Sequence, residues 1–390
     1  MTRVSGHNAS HLLGRMAHDP RVLVLSATYG SGHNQVAHAV SQALVAAGTE
    51  SACIDHFRTF VHPLFDSVTR ALYLAILRAV PGVWGRVYCL SNKLPVRSPL
   101  MFGMNRLGKR RLASYLAKTR SRAVVSVHPT PAGAVSALKA KGFPVFHATV
   151  FTDFDVHTQW IYPHVERYCV PSEEVAEGLA ARGISKERIA VTGIPIRERF
   201  FRRLDGRTLR AKYGLREDQP VALVMAGAHP TLGGLTRVLH VLKSLPVDCQ
   251  GVFVCGRDRA LAERILRDAS PSVRVFGYIE AVEELMALSD VLVTKAGAVT
   301  LSEAIAMELP MILYRSLPGQ EDANQGYIER AGAALTVRGE EDLGRVLLEL
   351  LTDPALSDKL RANLRRLRRS DPAQAVAREI LALTQNDERV

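Results

Sequence analysis

Short apolar runs, each closed by a Gly-containing or polar turn and followed by a helical pattern, recur along the chain in two successive series. Few architectures accept that order. The first series opens with RVLVLSA at 21–27, the turn TYGSGHN and a helical pattern from Gln35 to Ala47. It continues through AVVSVHP at 123–129, FPVFHATVFTD at 143–153, RYCVPS at 167–172 and IAVTGIP at 189–195. VALVMAGAHP at 221–230 starts the second series, which runs on through 250–256, 273–279, 290–297 and 310–316. Such near-continuous apolar runs suit the strands of a parallel sheet covered on both faces. The expectation is an α/β protein with two Rossmann-like domains facing across a cleft. It divides into a loose leader over 1–20, a first domain over 21–200, a second over 201–365 and a terminal helix over 366–390. Ligands of such sheets bind beyond the carboxyl ends of the strands, so the turns are where chemistry is expected.

The chain has 390 residues, 47% of them hydrophobic, enough for two cores and too many for a disordered chain. Five dispersed cysteines without CxxC spacing argue against a disulfide framework or a zinc knuckle and suit a reducing interior. No apolar run reaches about 18 residues, so no transmembrane helix is expected. Residues 1–20 lack the apolar stretch of a signal peptide. A net charge of +12 favours anionic partners. One segment, 56–122, breaks the alternation, and no acidic residue occurs between Asp66 and Asp153. There Arg and Lys are interleaved with Leu, Tyr, Met, Trp84 and Phe102. That mixture suits a surface meeting an anionic membrane, although a core helix pair with a solvated basic face would give the same composition. Nothing matches a nucleic-acid module, and no nucleic-acid partner is expected.

Two motifs in the second series carry chemistry. In SDVLVTKAGAVTLSEAIAMELP a strand leads through Lys295, Ala296 and Gly297 into a helix bearing Thr300 and Glu303. Gly297 permits a tight turn, and the helix N-terminus offers unpaired N–H groups to a phosphate. The two oxygens of Glu303 suit a ribose diol. In LPGQEDANQ, Gln320, Glu321 and Asn324 suit the hydroxyls of a sugar. Either motif alone reads equally as an ordinary α/β turn; the two together at this spacing are specific.

Together they resemble glycosyltransferase family 28, and within it the diacylglycerol glycosyltransferases. LSATYGSGHNQVAHAV, VSVHP and VFTDFDVHTQWIYPHVERYCVPSEEVAEGLAARGISKERIAVTGIPI resemble that branch's first half, with the T-D…H…W…G-I-P-I string the most diagnostic part. The similarity covers about residues 21 to 335. It implies a GT-B fold, a UDP-sugar donor, inversion at the anomeric carbon and a lipid acceptor, with the enzyme peripheral at the cytoplasmic face of the cell membrane. Gly297, Thr300 and Glu303 carry over to phosphate and ribose, and Gln320, Glu321 and Asn324 to sugar and phosphate. Phe276, Gly277 and Tyr278 carry over to the uracil, and His33, His128, Asp153, His157 and Trp160 to the acceptor side. Inversion by single displacement needs a base for the acceptor hydroxyl. His33 is the favoured candidate, with Asp153 the alternative or the group that orients it.

Asp153-Phe154-Asp155 has the spacing of a metal-binding D-x-D motif, but it lies in the first half, away from the donor motif. It is read as acceptor-side, and neither metal nor cofactor is expected. Relatives place a run of glycines where this chain has MAGAHPTLGGL. Ala228, His229 and Pro230 leave less room for a diphosphate to approach the backbone. Gly227 and His229 are counted with the donor-binding residues. Competing readings keep the fold and change the acceptor to a polyprenyl-linked or soluble molecule, or change the reaction to sugar-nucleotide epimerisation, or leave a non-catalytic membrane-surface binder.

Overall fold

The computed structural model describes residues 21–28, 31–94, 105–225 and 234–385. The first domain holds β1 (Val22–Ser26), α1 (Ser31–Ala46) and β2 (Ser51–Asp55), then a π-helical turn at Phe57–Val61. The excursion helices α2 (Pro63–Ala79), α3 (Pro81–Asn92) and α4 (Lys109–Thr119) follow. β3 (Ala123–Ser126), α5 (Pro129–Lys139), β4 (Phe146–Val150), β5 (Arg167–Val170), α6 (Glu173–Ala181) and β6 (Ile189–Val191) complete it. Its six parallel strands take the order β2-β1-β3-β4-β5-β6.

The second domain runs from α7 (Gly206–Lys212) through β7 (Val221–Met225), α8 (Leu235–Lys243), β8 (Gln250–Val254), α9 (Arg259–Asp268) and β9 (Val273–Phe276). It continues with α10 (Val282–Ala287), β10 (Val291–Thr294), α11 (Ala298–Met307), β11 (Met311–Tyr314), α12 (Gln320–Arg330), β12 (Ala334–Val337) and α13 (Glu340–Thr352). Its six parallel strands take the order β12-β11-β10-β7-β8-β9. Every residue of β1, β7 and β8 is buried, as expected of central strands packed on both faces.

β2 and β12 are strands that the apolar-run pattern does not mark. Both are sheet edges. A half-exposed edge needs less apolar surface, and SACID and ALTV carry little. The excursion that breaks the alternation is the crossover between β2 and β3, which carries three helices among the described residues.

After α14 (Pro354–Leu367) the chain returns to the first domain, where α15 (Pro372–Gln385) packs on α1 and along β3, β4 and β5. Val376, Ala377 and Ile380 seal that contact. Gly193 holds a φ of +84°, and a Cβ there would meet Pro372 at 3.0 Å, so this glycine answers both backbone and packing. Phe200 is buried in the passage between domains, in one apolar cluster that reaches from Val22 to Leu292. Strand order changes direction between β1 and β3 in one sheet and between β7 and β10 in the other. Those switch points are where an open α/β sheet leaves a crevice.

Candidate active site

α1 begins just after β1, and its first turn carries His33. Nδ1 of His33 lies 2.8 Å from the Val127 carbonyl oxygen and 3.2 Å from Thr152 Oγ1. A carbonyl only accepts, so Nδ1 carries the hydrogen and Nε2 keeps its lone pair. Burial, partly opposed by the Val127 contact, pulls the His33 pKa down to about 4, so the ring is neutral near pH 7. His128 stands edge-on to it, with centroids 4.9 Å apart. Its Nδ1 accepts from Thr130 N at 3.2 Å and caps α5. Burial, with His33 and His56 nearby, holds His128 well below the usual histidine range.

Asp153 follows β4. Its Oδ1 accepts from Asn324 Nδ2 at 3.1 Å, across the domain boundary. Burial pushes its pKa up to about 6; Asp155 and Glu321 add to the rise, while the Asn324 hydrogen bond and Lys295 oppose it. The Asp155 carboxylate accepts from the Tyr88 hydroxyl at 2.8 Å, so each carboxylate of the D-x-D string has its own protein donor. Among the described residues no cluster of three or more His, Cys, Asp or Glu is placed to hold a metal.

Two residues expected at the acceptor side are packing groups. His157 is 2% exposed, accepts from Gln159 N through Nδ1 and, through Nε2, donates to the Tyr88 carbonyl at 3.2 Å, with Ser91 Oγ at 3.1 Å. It pins α3 to the turn Thr158–Trp160. Trp160 is 4% exposed and stacks on Phe151 at 5.0 Å. A large apolar ring beside a strand-end aromatic gains more from the core than from a wet cleft.

On the facing domain Gly297 is the N-cap of α11, and no side chain caps that helix. Its φ is −73°, open to any residue, so no tight turn requires glycine. The missing side chain instead leaves room above the first N–H groups. The start of α11 faces the start of α1: a Cβ on Gly32 would lie 3.2 Å from Val299 Cγ2. Thr300 is half-buried in the same first turn. Glu303 is 5% exposed, and among the described residues none donates a hydrogen bond to it. Burial raises its pKa to about 8, with Arg197 opposing and Glu283 adding.

The second motif departs from its expected use. Glu321 is paired with Lys295, and its other oxygen accepts from Leu317 N at 2.8 Å. Asn324 is fully buried: Oδ1 accepts from Phe154 N at 2.7 Å, and Nδ2 donates to Asp153 and to the Ala296 carbonyl at 3.2 Å. It is a strut between domains rather than a group open to a sugar or phosphate. Phe154 and Tyr327 stack beside it, centroids 4.5 Å apart and rings 8° from parallel. Gln320 is half-buried. At the end of β9 the Phe276 carbonyl accepts from Cys255 N at 2.8 Å, Gly277 is exposed, and Tyr278 is 64% exposed beneath the Arg257 guanidinium. Gly227 and His229 lie outside the described residues.

Residues 33–196 match the model for monogalactosyldiacylglycerol (MGDG) synthase, and 232–377 the glycosyltransferase family 28 C-terminal domain. The processive diacylglycerol β-glucosyltransferase of Bacillus mycoides (strain KBAB4) is 32% identical, over 94% of this chain and 95% of that one. That of Bacillus cereus (strain AH187) is 33% identical over the same shares. The chain belongs to the diacylglycerol glycosyltransferase branch of glycosyltransferase family 28. MurG of Acinetobacter baumannii shares the fold, at 16% identity and a TM-score of 0.61 over 93% of this chain and 99% of that one. The architecture of this glycosyltransferase is therefore GT-B.

Tyr73, Tyr88 and Trp84 were missed as part of this region. They sit in the excursion, where helical spacing reads as ordinary amphipathic packing; only the tertiary contact with loop 317–320 reveals them.

Asn324 generates a prediction. Asn324→Ala removes the donor that favours the Asp153 carboxylate, so Asp153 titrates above about 6. The acid limb of kcat/KM is expected to move up by about one pH unit, the worth of a hydrogen bond to a charged group. A kcat/KM profile from pH 5 to 8 checks this; an unmoved limb separates Asp153 from the strut.

Proposed function

We propose that this glycosyltransferase moves a hexose from a UDP-sugar to diacylglycerol, with inversion, at the cytoplasmic leaflet. The observation that carries the reading is the tautomer of His33: a neutral ring locked through Nδ1, with an unprotonated Nε2, at the crevice where the starts of α1 and α11 meet. In the step proposed, Nε2 takes the proton of the acceptor hydroxyl as its oxygen bonds to the anomeric carbon from the face opposite UDP. The bond from that carbon to the phosphate oxygen breaks, and UDP leaves with the electron pair. The diphosphate brings negative charge that raises the imidazole pKa from its low resting value, which helps His33 hold the proton. Asp153 supports the imidazolium or orients the acceptor. The uncapped N–H groups of α11 offset charge on the leaving diphosphate.

A membrane surface fits the excursion. Among the described residues, eight of the eleven exposed large hydrophobics lie on α2, α3 and their junction: Leu64, Phe65, Val68, Leu72, Val80, Val83, Val87 and Leu90. Leu64, Val68 and Leu72 recur every four residues, as one exposed helix face requires. Arg58, Arg86, Lys93 and Arg110 are exposed around them, with no acidic residue on α3 or α4. No described helix is long and apolar enough to cross a membrane. Apolar stripes ringed by cations suit partial entry into an anionic interface.

Purified protein given UDP-glucose or UDP-galactose with diacylglycerol vesicles should yield a β-linked glycolipid, read by mass spectrometry and anomeric proton coupling. His33→Ala should lower the rate by about 10²–10⁴-fold. Absence of lipid product from any UDP-sugar overturns the reading.

Glu303 adds a pH test. Its pKa of about 8 in the free protein falls when ribose hydroxyls donate to the carboxylate. Binding therefore favours the ionised form, and UDP-sugar affinity should rise from pH 6 to 8 with proton release. In Glu303→Gln, calorimetry should show weaker binding and a flat profile over that range; a profile as steep as the parent's assigns the pH dependence elsewhere.

Val68→Glu with Leu72→Glu should weaken sedimentation with anionic vesicles by about 10–100-fold, the worth of two half-buried apolar groups. Salt should weaken parental binding without abolishing it. Unchanged sedimentation of the double variant removes α2 from the membrane contact.

A further inference from the structure

Trp84, Tyr88 and Ser91 recur at helical spacing on one face of α3, while Val83, Val87 and Leu90 recur on the other and are exposed. The inner face meets two loops from different domains. One is 317–320 of the second domain. An added Cβ on Gly85 would lie 2.6 Å from Pro318 Cβ, and one on Gly319 would lie 3.2 Å from Tyr88 Cβ. The other loop is 153–158 of the first domain, which carries the D-x-D string. There the Tyr88 hydroxyl donates to the Asp155 carboxylate at 2.8 Å, and the Tyr88 ring lies 4.5 Å from that of His157, between centroids. Asn92 Oδ1 accepts from Thr158 N at 3.0 Å, and the Ser91 carbonyl accepts from Thr158 Oγ1 at 3.2 Å. Tyr88 therefore packs its stem on the donor-side loop and places its hydroxyl on the D-x-D loop.

Asp153 and Asp155 are two residues apart and sit in unlike settings. Asp153 is bonded by the Asn324 amide, and burial raises its pKa; Asp155 is bonded by a phenol. Two close carboxylates repel, so the charge on one sets how readily the other ionises. A phenol O–H draws charge from the carboxylate it bonds, and an Asp155 so engaged repels Asp153 less. The other charged and titratable groups around Asp153 are Glu321 from α12, Lys295 from the turn after β10 and Tyr73 from α2. His157 is the further one beside Asp155, and His33 meets the adjacent Thr152.

We propose that Tyr88 is a positioning residue of the transfer reaction: by tying Asp155 to α3 it leaves Asp153 as the carboxylate that acts with His33. This rests on the reading of Asp153 as the group behind the acid limb of kcat/KM. Only the hydroxyl is needed for this, because ring and stem pack on Gly319 whether or not the hydroxyl is present.

The test compares the parent with Tyr88→Phe, Asp155→Asn, their double variant and Asn324→Ala, each checked for fold by circular dichroism. Profiles of kcat/KM with UDP-glucose or UDP-galactose and diacylglycerol vesicles are taken between about pH 5 and 8. In Tyr88→Phe the Asp155 charge is no longer shared with a phenol, so the acid limb should move up by about half a pH unit. Asp155→Asn removes that charge, and the limb should move down by about one unit. Tyr88→Phe should add no shift on top of Asp155→Asn, because it acts through that carboxylate. The UDP Kd of Tyr88→Phe should stay within about twofold of the parent's. A limb that Tyr88→Phe leaves in place, while Asp155→Asn and Asn324→Ala move it, overturns the assignment of Tyr88 alone. A shift that persists in the double variant, or a UDP affinity that falls as far as kcat/KM does, also overturns it. If neither Asp155→Asn nor Asn324→Ala moves the limb, the reading of Asp153 falls and this proposal with it.

Discussion

The crevice is braced by one amide, Asn324, whose fully buried side chain bonds across the boundary between the two domains. It accepts from the backbone of Phe154 and donates to Asp153 in the first domain and to Ala296 in its own. A buried amide with every group engaged resists movement, because breaking one contact strands a polar group away from water. Phe154 stacked on Tyr327 shields that network. The distance from β4 to the start of α11, and so the width of the crevice, is set there.

Burial works against charge in the crevice, although the chain carries +12 overall. Burial makes His33 reluctant to gain a proton and Asp153 and Glu303 reluctant to lose one. Lys295 is neutralised by Glu321. Such a site is costly to charge from within and gains most from a ligand that brings complementary charge and donors. In the proposed reading, a diphosphate next to the imidazole and a ribose diol next to Glu303 would supply both. The surplus positive charge lies outside, much of it on the excursion.

The fold was largely legible because buried parallel strands must be apolar along their whole length, and ten of the twelve announce themselves so. β2 and β12 were not, since an edge need not be apolar. The family motifs converge on one crevice, yet motif membership says which residues are near, not which atoms line it. His33 and Asp153 stand at the crevice. His157 and Trp160 are spent on packing, and Asn324 on the domain boundary. Gly297 suggests a turn and adopts ordinary dihedrals. A side chain's direction depends on partners distant in sequence; Asn324 is 170 residues from Phe154, so no local pattern encodes it.

The excursion shows why a surface helix pair in such an enzyme need not be a passive anchor. A hexosyl donor at a water-filled crevice has water as a competing acceptor, so transfer to a lipid is favoured by a wall that excludes water on the donor side. Trp84, Tyr88 and Tyr73 form an aromatic face against loop 317–320, while Leu64, Val68 and Leu72 point away from the protein. The two faces share one rigid hairpin, α2 and α3, with Val80 at the corner. A push on the outer face would be transmitted to the inner one, because packed helices move as bodies rather than deform. The same pair of helices therefore ties an exposed apolar stripe to the wall against loop 317–320.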